Sequence, residues 1–254
     1  MTSEDVPAPL RRLWRVSEPS RLGRPAALDV DQVVAAAVAI ADRDGLDGVT
    51  LPKVARALGF TGMSLYRHVG SKDELLALMA DAALGLPPDL AGDDWRAGLR
   101  DWAFAQRAVL RRRLWLTRVP RSGPPSGPHQ VAWMEAALAV LARTGLDWAH
   151  KVGILSLVSG YVLQSVRQHA ELAGGRAAAQ EQGQAQGQAE AERDYGRALA
   201  RLVDPGRFPE TARLFASTVF EATPPDTPDE VVDDADFALG LDIVLDGVAA
   251  RVGG

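Results

Sequence analysis

Residues 50–72, TLPKVARALGFTGMSLYRHVGSK, constrain the fold more than any other stretch, because two short helical patterns must meet at a sharp Gly59-Phe60 corner. Val54, Ala55 and Leu58 recur at the i, i+1, i+4 spacing that buries one helical face, and Gly59 supplies the left-handed backbone that ends a helix at little cost. Thr50 stands ahead of this first helix as its N-cap, with Pro52 in the first turn, where a missing N–H is harmless. Thr61 is the N-cap of the second helix. Leu65 and Val69 then repeat at i, i+4 and must face a core, which leaves Gly62, Met63, Ser64, Tyr66, Arg67 and His68 on the outer face of about two turns.

A short helix that presents such a face can place three or four side chains against base edges in a DNA groove, while its neighbours hold phosphates. Arg67 suits bidentate bonding to guanine in the major groove, and Tyr66 and His68 can donate to phosphate or stack on sugar. Ser71 and Lys72 open the next helix with a hydroxyl, a cation and unpaired N–H groups, a combination suited to an anionic oxygen. The chain contains no asparagine, so adenine readout by that side chain is absent; Met63 and Thr61 offer contact to thymine methyl groups instead.

The flanks extend the unit. Upstream, Asp29 caps a helix whose stripe is Val33, Ala37, Ile40 and Ala41 and which closes at Gly45; downstream, residues 71–84 carry Leu75, Leu76 and Met79. Residues 29–84 therefore read as a three-helix head with a linker helix. Ahead of it, residues 1–28 read as a flexible basic arm, with Arg11, Arg12, Arg15, Arg21 and Arg24 opposed over residues 11–24 only by Glu18, of the kind that tracks phosphates or enters a minor groove.

Residues 29–84 resemble the DNA-binding domain of the tetracycline-repressor (TetR) family, through Leu65-Tyr66-Arg67-His68-Val69 followed by Ser71-Lys72-Asp73-Glu74-Leu75-Leu76. By that resemblance Thr50, Ser64, Tyr66, Arg67, His68 and Lys72 fall on positions that touch operator DNA. Tetracycline-responsive members carry polar readers where this chain has Pro52 and Gly62, which implies a different operator.

The rest of the chain reads as a larger helical body over residues 95–254, behind the boundary signal of residues 85–94, GLPPDLAGDD. The whole is thus expected to be all-α. Residues 95–113, 130–143 and 151–172 are helical, and the last is apolar on more than one face, so it needs two partners, one of which is most simply a second copy of the chain. Residues 174–192, GGRAAAQEQGQAQGQAEAE, bear no apolar stripe and read as a mobile surface loop. The final helix, residues 236–248, buries Phe237, Leu241, Val244, Leu245 and Val248; it resembles the closing helix of the TetR ligand-binding domain, which implies a four-helix homodimer interface. Two heads on one palindromic operator must sit about one DNA turn, ~34–36 Å, apart or at a multiple of it, so a ligand that changes their spacing releases DNA.

Trp102, Gln106, Trp115, Trp133, Met134, Tyr161 and Gln164 lie on the helices expected to surround a ligand cavity and would suit a hydrophobic or aromatic effector. Aligned on Trp95, Trp102 takes a position that is a polar ligand contact in tetracycline-responsive relatives, which argues against that drug. No cofactor is implied, and His129, His150 and His169 lack metal-ligand spacing. No GxSxG, Gly-rich phosphate loop or cysteine points to a catalytic centre. No run of apolar residues reaches the ~20 of a membrane span, no secretory signal opens the chain, and the absence of cysteine fits a cytoplasmic location. The net charge is −5, but acid is concentrated in the C-terminal third, notably residues 226–246, so the basic arm and the second head helix still form a local positive site. These readings converge on a DNA-binding regulator that answers to a small molecule, a repressor by family tendency. A helical adaptor that binds no DNA would explain the body but not the outer face of the second head helix.

Overall fold

An aspartate and a glutamine set the first turn of the head. In the computed structural model, which describes residues 6–16, 29–90, 92–120, 123–181, 187–221 and 227–253, helix α2 (Val30–Asp44) begins where Asp29 accepts from Gln32 N at 2.7 Å. Gln32 Oε1 accepts in return from Asp29 N at 3.3 Å, a reciprocal cap that satisfies two otherwise orphaned donors. The expected stripe of Val33, Ala37, Ile40 and Ala41 is buried, and Gly45 ends the helix.

Helix α3 (Leu51–Ala57) follows, with Lys53 N donating to the Thr50 hydroxyl at 3.3 Å. Gly59, at φ +76°, turns the chain into α4 (Gly62–Val69). Helix α5 (Lys72–Leu84) is capped by Ser71, whose hydroxyl accepts from Glu74 N at 3.1 Å. Val33, Val54, Leu65, Val69, Leu75 and Met79 are fully buried where α2, α3, α4 and α5 pack together.

Residues 8–13 do not behave as a flexible arm. They form α1 (Ala8–Leu13), which packs on α5 through buried Leu13 and an ion pair from Arg12 to Glu74. Arg21 and Arg24 lie outside the described residues. The tie between α1 and α5 closes over Gly70, whose φ is +73°: a Cβ there would overlap the Glu74 carboxylate and stand 2.7 Å from the Arg12 guanidinium. Gly70→Ala is therefore expected to cost ~1–2 kcal/mol from the left-handed backbone alone, which lowers Tm by ~2–8 °C in a thermal melt.

The chain divides into two units, residues 1–166 with 251–254, and residues 167–250. In the first, α6 (Trp95–Arg112) packs on α7 (Pro128–Val140), and α8 (Trp148–Glu181) begins with Ile154, Leu155, Val158, Val162 and Val166 buried. A second stripe of α8, spaced i, i+4, i+7, i+11, carries Gly153, Leu157, Gly160 and Gln164, all exposed.

In the second unit, the expected loop over residues 174–192 is largely helical. Helix α8 runs to Glu181, α9 (Gln188–Leu202) starts before the segment ends, and residues 182–186 are outside the described set. The cause is tertiary. Arg176 reaches Asp229 at 3.3 Å and His169 reaches Asp233 at 3.2 Å, so α11 (Asp229–Val252) clasps the end of α8, while Ala, Gln and Glu supply the helix propensity. Helices α9 and α10 (Pro209–Phe215) enclose a cluster of Tyr195, Phe215 and Phe220 with ring centroids 5.3–6.0 Å apart. Buried Phe237, Leu241, Leu245 and Val248 form the inner face of α11, while Val231, Leu239 and Ile243 stand exposed. Among the described residues there is no strand, and no helix is long and apolar enough to cross a membrane.

Candidate DNA-binding site and its mounting

The outer face of α4 is set by its inner one. Leu65 and Val69 are 0% exposed, which fixes the rotation of a helix of eight residues and turns Met63, Tyr66 and Arg67 to solvent. Met63 is 80% exposed and Tyr66 51%, side by side with Arg67 on one face of the helix. Gly62 leaves open space at the start of the same helix, so a groove wall can approach the backbone there. His68 is half-buried at the edge of the face; Thr50 and Lys72 are exposed at the N-termini of α3 and α5.

Two hydroxyls differ from expectation. Thr61 occupies the N-cap position of α4, yet its side chain makes no capping bond. Ser64 Oγ instead donates to the Thr61 carbonyl at 2.8 Å, so this serine offers DNA only its lone pairs. Lys53, on the outer face of α3, stands 3.8 Å from Asp44, and the Arg43 guanidinium hydrogen-bonded to Asp44 holds that carboxyl below the usual carboxylate range. Arg67, on the face itself, and Lys72, at the start of α5, are both exposed.

The head is mounted on the body through polar contacts at several places, among them the exposed pair of Arg118 with Asp47 at 2.9 Å. Asp81 of α5, 3% exposed, lies at the N-terminus of α7, where it accepts from Gln130 N at 3.0 Å, from His129 N at 3.4 Å and from His129 Nδ1 at 2.8 Å. Helix α7 has no side-chain cap of its own, so the linker helix provides one. Asp42 of α2 accepts from Trp115 Nε1 at 2.7 Å and from Arg113 Nε at 3.2 Å, and Arg113 also donates to the Ala83 carbonyl at 2.9 Å. Trp14, just past α1, donates Nε1 to the Ser126 carbonyl at 2.7 Å.

This mounting redistributes the residues expected around a ligand. Trp102 and Trp133 do come together, with centroids 6.4 Å apart, but Trp102 Nε1 donates to the Trp133 carbonyl and Trp133 Nε1 to the Gly85 carbonyl, each at 2.9 Å. Both indoles are buried, and their N–H donors are already engaged. Trp115 faces the head through Asp42, and Gln164 sits on the exposed stripe of α8. Gln106, Met134 and Tyr161 remain half-buried on α6, α7 and α8. The remaining histidines pair with Asp81, Asp147 and Asp233, and no group of metal-ligating side chains occurs among the described residues.

Sequence reasoning missed Asp42, Asp81, Glu74 and Trp14. Asp81 did carry a signal, as a lone carboxylate inside the apolar run LLALMADAAL, and Glu74 follows Ser71 at capping-box spacing.

The model for bacterial regulatory proteins of the tetR family matches residues 33–79, and the model for the tetracyclin repressor-like C-terminal domain matches residues 87–252. The HTH-type transcriptional repressor DrrR1 of Streptomyces coeruleorubidus is 34% identical over 258 aligned positions, covering 98% of this chain and 88% of that protein. The class D tetracycline repressor of Escherichia coli is 29% identical over 62% of this chain and 75% of its own length. Among solved structures, apo ActR from Streptomyces coelicolor superposes with a TM-score of 0.70 over 89% of this chain and 99% of its own, at 24% identity, which shows a shared fold.

Proposed function

Because the chain belongs to the tetracycline-repressor (TetR) family of transcriptional regulators, we propose that it represses transcription as a homodimer, each α4 entering one half of a palindromic operator, and that a small effector releases it. Family membership makes it a DNA-binding transcriptional regulator and not an enzyme. The observation that carries the reading is the exposed Met63, Tyr66 and Arg67 face, held in one orientation by Leu65 and Val69. The repressor name of its relative DrrR1 supports repression over activation.

Dimerisation is supported by the apolar residues that α8 and α11 leave uncovered, Leu157 between Gly153 and Gly160 on one helix and Leu239 with Ile243 on the other. Small residues on such a stripe let a partner backbone approach closely. The effector site is assigned to the body beside Gln106, Met134 and Tyr161, with Trp102 and Trp133 as apolar walls and Gln106 and Tyr161 supplying hydrogen bonds. That lining suits a hydrophobic or aromatic molecule with a few polar atoms. Trp115 and Gln164 lie outside this assignment for the reasons given above.

The test is enrichment of duplexes from a random DNA pool by the purified protein. The expected result is one inverted repeat, whose affinity falls steeply as salt rises because each phosphate contact releases condensed counterion. A folded protein that enriches nothing at low salt contradicts the reading.

A further inference from the structure

Helix α1 lies outside both segments that match the family models, which begin at residues 33 and 87, yet it contacts the head and the body at once. On the head side, Arg12 holds Glu74 through Nε at 2.9 Å and through Nη2, and the pair covers Gly70, the residue that ends α4. Glu74 is also the residue whose N–H the Ser71 cap receives, so the contact sits at the joint between α4 and α5. Arg15, at φ +53°, folds back to bond the Arg12 carbonyl at 2.8 Å and Asp31 of α2 at 2.7 Å, which fixes the exit of α1. On the body side, Trp14 Nε1 donates to the Ser126 carbonyl. Ser126 N donates in turn to Gln130 at 3.0 Å, and Gln130 is the residue whose N–H Asp81 caps.

We propose that α1 is a further strut between body and head: Trp14 and Arg12 are positioning residues that, together with the Asp81 cap, fix the angle at which each α4 is presented and so the half-site spacing the dimer accepts. Asp81, Asp42 and Asp47 join α5, α2 and the turn after α2 directly to the body; the contact at Ser126 adds one that runs through α1 to the exit of α4. The exit of α4 is tied to the strut through Glu74 and Gly70, so motion of the 123–127 segment reaches the recognition helix without passing along α5. The inference rests on the proposed reading of α4 as the DNA-contacting element.

The test uses the full chain and two variants, Trp14→Phe, which keeps an aromatic ring and removes the indole N–H, and Arg12→Met. Each is assayed on duplexes that hold the half-site enriched by the wild type and vary the spacing between halves. The expected result is that the preference for the best spacing over its neighbours falls by about five-fold in Trp14→Phe, the equilibrium weight of one hydrogen bond, and by more in Arg12→Met, which removes two, while base preference within each half-site is unchanged. Variants that lose affinity equally at all spacings, or that keep the wild-type profile, overturn the strut. Hydrogen exchange on the free protein separates this failure from failure of the DNA reading. Arg12→Met is expected to speed exchange at residues 70–75 and Trp14→Phe at residues 129–131; exchange as in the wild type at both places overturns the strut even if no duplex is enriched.

Discussion

Arg67→Ala is expected to weaken binding to the enriched inverted repeat by ~30-fold to ~10⁴-fold. A base-reading arginine contributes ~1–3 kcal/mol per site, both heads of a dimer lose it together, and each ~1.4 kcal/mol is tenfold. Arg67 is exposed on α4, and its backbone is held by Leu65 and Val69, which the substitution leaves in place. The melting temperature should therefore stay within a degree or two of the wild type, so the loss is in recognition and not in folding. Lys72→Ala offers the contrast. A phosphate contact at the start of α5 weakens binding to all sequences alike and makes the salt dependence shallower by about one unit of slope per head. Both variants are read by fluorescence anisotropy on the enriched duplex and on a scrambled one.

Asp81→Ala is expected to be the most destabilising single change discussed here, ~3–5 kcal/mol. The carboxylate is buried and accepts from two backbone N–H groups in the first turn of α7 and from His129 Nδ1. Removing it leaves those donors without an acceptor at the positive end of a helix dipole, the arrangement in which loss of one partner costs most. Asp81→Asn keeps the shape and one acceptor oxygen, and His129 can present the other ring tautomer, so about half the cost returns. A thermal melt should show Tm lower by ~6–20 °C for alanine and by clearly less for asparagine. Equal losses for the two would mean that volume, not hydrogen bonding, fixes this joint.

The head was legible because its signals are local. Thr50, Ser71 and Asp29 cap their own helices, Gly59 takes left-handed backbone, and Leu65 with Val69 fix the rotation of α4; each acts within four residues of chain. What the sequence did not carry depends on partners distant in the chain. Residues 174–181 have no apolar stripe, and their helix is anchored by Arg176 on Asp229, more than fifty residues away. Helix α1 has six residues and no period long enough to recognise, and it is held through Arg12 on Glu74. The tryptophans make the same point at the level of single atoms. Composition marks Trp102, Trp115 and Trp133 as large and amphipathic, but only the fold decides that their N–H groups meet the Trp133 carbonyl, Asp42 and the Gly85 carbonyl.

The mounting also explains why a regulator of this build is sensitive to change in its body. Helix α5 is the covalent link, and Asp81 near its C-terminal end caps α7, so a shift of α7 moves the lever that carries α4. Coupling of this kind requires only that an effector favour one head position over another by ~1–3 kcal/mol.

The measurement that tests the central claim most directly is guanine-N7 methylation interference on the enriched duplex, with wild type and Arg67→Ala side by side. N7 lies in the major groove, where the proposed reading puts α4. The account predicts two clusters of interfering guanines about one helical turn, ~34–36 Å, or a whole multiple of it apart, with the Arg67-dependent guanine losing its signal in the variant. A single cluster, or binding indifferent to N7 methylation throughout, would contradict it.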